Sequence, residues 1–158
     1  MEGSEDVTRK ALIVGYGNPL RGDDGIGQAA ARALAQAPAI CGAEVIACHQ
    51  LLPELAESLA GVALAVFIDA AAGIPPGSVV VAPVQATAGP AAGLVHHVHP
   101  GALLLQSKKL YGHAPRPFLV TVGAGSLALG EGFSEDVAAA LPGVIAAVRQ
   151  LVLDHLPR

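Results

Sequence analysis

Aromatic side chains are scarce in this chain: two Tyr, three Phe and no Trp, 3% of 158 residues. A surface built to stack bases or to cage an organic cation is therefore not expected. Charge is scarce as well, at 14%, and the nine Lys and Arg are outnumbered by thirteen Asp and Glu, for a formal charge of -4. So few cations form no clustered basic face, which argues against a nucleic-acid partner. The two cysteines, Cys41 and Cys48, match neither a CxxC redox pair nor a zinc-finger spacing, and are expected to be reduced thiols. Long apolar runs are missing. Val62 to Ile68 is among the longest, far short of the ~20 residues that cross a bilayer. The opening MEGSEDVTRK mixes acids and bases, and the apolar stretch after it is too short for a signal peptide. The expectation is a cytoplasmic protein with no membrane partner.

What the chain does have is aliphatic bulk. Hydrophobic residues make up 53% of it, which excludes a disordered or low-complexity chain. No internal repeat or linker interrupts it, and its length suits a single domain over 1–158.

The run Lys10 to Tyr16 reads as a buried strand, followed by the turn Gly22-Asp23-Asp24-Gly25. Ile26, Ala30, Ala33, Leu34 and Ala37 recur at helical spacing, and Asp23 or Asp24 can cap that helix. Glu44 to Cys48 reads as a strand, Pro53 to Leu59 as a short helix, and Val62 to Ile68 as a strand buried on both faces. Ser78 to Val81 is a further strand, separated from the previous one by only about eight residues rich in Pro and Gly. A right-handed parallel crossover needs roughly a dozen or more, so this strand is predicted to run antiparallel or to lie at an edge. Pro100 to Tyr111 reads as a helix with Leu103, Leu104, Ser107, Leu110 and Tyr111 on its inner face, and Pro117 to Gly123 as the last strand. Ser134 is placed to cap a final helix, with Glu135 and Asp136 in its first turn and a kink or restart at Pro142-Gly143. The order β-α-β-α-β-β-α-β-α predicts an α/β three-layer sandwich whose roughly five-stranded sheet is mostly parallel, with one antiparallel strand. Ligands of such sheets sit beyond the carboxyl ends of the strands. That directs attention to Asn18 to Asp24, to His49 and Gln50, to Asp69 to Gly73, and to any long loop folding over them.

Three features there can carry chemistry. The glycine-rich stretch Gly15 to Gly27 sits between a strand and a helix, as in dinucleotide-binding folds. It lacks the third glycine of that fingerprint and the lysine of a P-loop. Asp23 and Asp24 at the start of the helix also repel a pyrophosphate. Asp69 ends the most apolar strand, where a carboxylate is costly unless paired, hydrogen-bonded or metal-bound; alone it also reads as a turn aspartate. Val95-His-His-Val-His99 closes a long loop from about Val84 and holds three of the six histidines. Asp24, Asp69 and one loop histidine form an open site for a divalent transition metal. Spacing alone does not choose among His96, His97 and His99. No GxSxG elbow, HExxH helix or Cys–His pair offers a competing nucleophile.

These motifs resemble those of the hydrogenase maturation proteases. The resemblance rests on LIVGYGNPLRGDDGIG, on HQLLPELA from His49, on VFIDAAAG from Val66, on HHVHPGALL from His96 with KKLYG after it, and on FLVTVGAG from Phe118. It implies an α/β sandwich and an endopeptidase that removes the C-terminal extension from the precursor of a nickel–iron hydrogenase large subunit. It implies Asp24, Asp69 and His96 as metal ligands, with His96 chosen because it stands four residues before Pro100. The nickel would come with the precursor rather than reside in the protease. Asn18, Asp23, His49 and Gln50 are the candidate substrate contacts, and no catalytic nucleophile is assigned. Two other readings stand beside it: a metal-sensing or metal-carrying module without hydrolysis, which uses the same ligands, and a nucleotide-binding domain, favoured only by the glycine-rich first loop.

Overall fold

A computed structural model describes residues 10–36, 42–88 and 98–156. Five strands form one sheet: β1 (Ala11–Tyr16), β2 (Ala43–Cys48), β3 (Leu64–Ala71), β4 (Val79–Pro83) and β5 (Arg116–Gly123). Their order is β2-β1-β3-β5-β4. The first four in that order are parallel, and β4 pairs antiparallel with β5 at the edge. The short Pro-rich link after β3 has the consequence expected of it. With no crossover helix, the chain returns as an antiparallel edge strand.

The helices are α1 (Ile26–Gln36), α2 (Leu55–Ala60), α3 (Pro100–Tyr111) and α4 (Glu135–His155). They cover both faces of the sheet, and strand alternation assigns each side chain to a face. Ala11, Ile13, Leu64, Val66 and Ile68 pack with Ile26 and Leu34 of α1 and with Val144 and Val148 of α4. Leu12, Val14, Ala65 and Phe67 pack with Leu59 of α2 and with Leu103 and Leu104 of α3. The result is the predicted three-layer α/β sandwich.

Several expectations need correction. β3 begins two residues later than predicted and runs on to Ala71, so Asp69 lies within the strand, paired in register with Thr121. A 3-10 turn over Gly22–Gly25 precedes α1, and no side chain caps it. Ser134 occupies the N-cap position of α4 but makes no cap bond, because its hydroxyl donates to Asp23 instead. α4 runs unbroken through Pro142. Pro142 and Ala138, whose carbonyl loses its helical partner there, are both exposed, so water can satisfy it. Leu110 and Tyr111 are exposed at 66% and 50%, leaving Leu103, Leu104 and Ser107 as the inner face of α3. Among the described residues α4 is the one helix long and apolar enough to span a bilayer, with mean hydropathy 1.6. It holds no long unbroken apolar run, because Arg149, Gln150 and Asp154 interrupt it. In the fold, Val137, Val144, Val148, Leu151 and Val152 are committed to the core.

The glycines of the first loop serve packing. A Cβ on Gly27 would meet the backbone of Ile68 and Tyr16. Glycine there lets the first turn of α1 lie against the ends of β1 and β3, at the rim where the site forms.

Candidate active site

At the carboxyl rim, register places Cys48, Tyr16, Asp69 and Thr121 side by side on consecutive strands. Tyr16 shares the parity of Leu12 and Val14, and Asp69 that of Ala65 and Phe67. Both therefore project to the α2–α3 face. The Tyr16 hydroxyl donates to Asp69 Oδ2 at 2.9 Å. Asp69 Oδ1 is buried and has no hydrogen-bond partner. Burial pushes the Asp69 carboxyl up to about 6, the Tyr16 hydroxyl opposes this, and the Asp24 charge adds to it. Burial, then the neighbouring Asp69 charge, holds the Tyr16 phenol far above its ordinary value, so it is a neutral donor.

A cavity of about 360 Å³ opens over this rim, and Tyr16, Asn18, Arg21, Asp24, His49, Gln50, Asp69 and Val98 are among its lining residues. Asp24 and Asp69 thus share one cavity on one rim. Asp24 Oδ2 accepts the Asn18 N–H at 2.7 Å, and Asn18 Oδ1 accepts the Leu20 N–H at 2.9 Å. The first loop is therefore folded around its own carboxylate, with its amides turned to internal partners rather than offered to a phosphate. That counts against nucleotide binding.

Asp23 is elsewhere. It is fully buried and does not line the cavity. Its carboxylate accepts the N–H groups of Gly125, Ser126 and Ser134 at 2.7, 2.9 and 2.7 Å and the Ser134 hydroxyl at 2.8 Å. Burial by itself raises its pKa, but the bonds from Ser134, Ser126 and Gly125 outweigh burial and hold the group below the usual carboxylate value. Asp23 is neither helix cap nor cavity residue. It ties the loop after β5 to the loop after β1.

His96 and His97 lie outside the described residues, as does Cys41. Val98 lines the cavity, so the chain enters α3 from the cavity's edge. His99 holds the N-cap position of α3, does not line the cavity, and has a buried Nε2 with no partner. Among the described residues no group of three or more His, Cys, Asp or Glu is set to hold a metal. The pair Asp24 and Asp69 nevertheless suits a divalent ion. A buried carboxylate oxygen without a donor is costly, and either a proton or a bound cation relieves it. Tyr16, Leu51 and Val98 were not among the candidates from sequence, and Arg21 fell within the Asn18 to Asp24 stretch without a role of its own. The parity of Tyr16 with Leu12 and Val14 is the signal that points it to the same face as Asp69.

Fold and rim together define an α/β protein with a carboxylate pair at the carboxyl ends of parallel strands. No protein-family model and no curated protein sequence matches the chain. Among solved structures, it is similar to the [NiFe] hydrogenase maturation protease HycI of Thermococcus kodakarensis KOD1. The TM-score is 0.75 at 24% identity, covering 95% of this chain and 98% of that one. It is similar to HybD of Thermococcus kodakarensis, also a [NiFe] hydrogenase maturation protease, with TM-score 0.69 at 25% identity over 90% and 98% of the two chains. The hydrogenase maturating endopeptidase HybD of E. coli superposes with TM-score 0.71 at 21% identity over 92% and 93%. The chain has the fold of the hydrogenase maturation proteases across nearly its whole length.

Proposed function

We propose that this protein is an endopeptidase that removes the C-terminal extension of a nickel–iron hydrogenase large-subunit precursor, in the cytoplasm, after nickel has been inserted. The observation that carries the reading is the convergence of Asp24 and Asp69 on one rim cavity, in a fold shared with [NiFe] hydrogenase maturation proteases. In this reading the nickel belongs to the substrate. Asp24, Asp69 and His96 complete its coordination, which makes the protease responsive to a finished metal centre. His96 is included on the resemblance, four residues before Pro100, and Val98 in the same stretch lines the cavity. Asn18, His49 and Gln50 are the side chains placed to meet the tail entering with the metal.

The test is a processing gel with purified precursor in nickel-loaded and nickel-free form. The expected outcome is cleavage of the loaded form alone by the wild type, and none by a folded Asp24→Asn or Asp69→Asn. Cleavage of both forms alike would remove the nickel checkpoint and leave a plain peptidase. Stoichiometric nickel binding without cleavage would leave a metal carrier.

A further inference from the structure

The loop after β1 and the loop after β5 are joined by hydrogen bonds into one unit. Gly130 N donates to the Leu20 carbonyl and Gly22 N to the Gly130 carbonyl, each at 2.8 Å, and Asp23 N donates to Ser126 O at 3.0 Å. Beneath them the fully buried Asp23 carboxylate holds Gly125, Ser126 and Ser134. The polarity of this unit is inverted. Its acid is inside, while Leu20, Leu129 and Phe133 on the outside are exposed at 56%, 81% and 36%. The Leu20–Gly130 bond brings the two leucine-bearing segments together. The patch adjoins the cavity, because Asn18 and Arg21, on either side of Leu20, both line it.

We propose that Leu20 and Leu129 form a docking patch for the folded body of the protein whose tail enters the cavity, and that this body presents a complementary apolar surface. The inference rests on the processing function proposed above and names where the substrate's globular part is held. Continuity with the cavity selects this occupant, since Asn18 and Arg21, which flank Leu20, line the cavity that the tail enters. Size points the same way. Three side chains expose on the order of a few hundred Å², short of the roughly 800 Å² per partner of a stable interface. A patch of that extent suits a substrate that must leave. Because the loops are already pinned, docking does not have to order them first, and that saving favours binding.

The test uses a Leu20→Asp/Leu129→Asp double variant of the full chain with a purified nickel-loaded large-subunit precursor. Both side chains lie outside the core, so the thermal melt is expected to match the wild type. Processing is expected to show KM raised by about tenfold or more with kcat unchanged, the loss of uniform binding. A Leu129→Met control is expected to behave as wild type. An unchanged KM in a folded double variant would overturn the inference while leaving the processing function standing. So would self-association of the wild-type chain, in sedimentation, that the double variant abolishes. A wild type that neither binds nor cuts any loaded precursor would overturn both.

Discussion

Tyr16 and Asp69, 53 residues apart in sequence, meet through a hydrogen bond of 2.9 Å from phenol to carboxylate. The bond follows from strand register. Gly15 pairs with Ile68, so the next residue on each parallel strand meets its neighbour on the same face. One carboxylate oxygen is thereby held, while the other is left buried and without a partner. A metal-ligating carboxylate is ordinarily oriented by such an outer donor. The arrangement thus supports a cation at Asp69 more strongly than the aspartate alone does.

Asp69 is expected to cost stability in the metal-free protein. Its folded pKa of about 6 lies above the unfolded value of 3.8. The native state therefore holds this proton more tightly than the unfolded chain. The associated stability is full below about pH 4 and is lost as pH rises through about 6. Asp69→Asn removes the buried charge, keeps an acceptor for Tyr16, and is expected to melt higher than the wild type at pH 7.5. The gap should close by about pH 4. Millimolar nickel should raise the wild-type melting temperature and leave the variant's unchanged. Thermal melts from pH 4 to 8 provide the measurement, and a wild type that melts above the variant at pH 7.5 without metal would contradict it.

Asp23 carries the opposite sign. Its folded pKa lies below 3.8, so its contribution is present above about pH 4 and is lost as pH falls through the folded value. Asp23→Ala removes the acceptor of part-buried hydrogen bonds from Gly125, Ser126 and Ser134, at about 0.5–1.5 kcal/mol for each bond. The expected result is a clear drop in denaturant midpoint. Faster amide hydrogen exchange is expected at Gly125, Ser126 and Ser134, whose N–H groups the carboxylate now holds. Protection there equal to wild type would show that Asp23 does not pin the loop.

Gly27→Ala separates packing from ligand binding in the glycine-rich stretch. The added methyl meets backbone rather than a flexible side chain, so α1 must shift from the sheet. The expected cost is about 1–3 kcal/mol, the usual range for overpacking. Urea unfolding measures it, and an alanine variant of wild-type stability would show that α1 has room at this point.

The layer order was legible because it is local physics. Apolar runs, turn glycines and helical spacing mark most strands and helices in this chain, and the short Pro-Pro-Gly link announced the reversed direction of β4. Asp24 and Asp69 were legible as chemistry because a carboxylate beside a buried strand end needs a partner. The partner was not legible. Tyr16 reads as the end of an apolar strand, and only parallel register against β3 sets its hydroxyl on Asp69. Asp23 and Ser134 show the same limit more sharply. Each reads as a helix cap, because a polar residue before a helix ordinarily bonds its own first turn. In the fold they bond each other across 111 residues. Sequence by itself determined which groups needed a partner. The tertiary structure decided which partner each received, because a buried carboxylate takes the donors that the packed chain brings within reach, and those donors lie far away along the sequence.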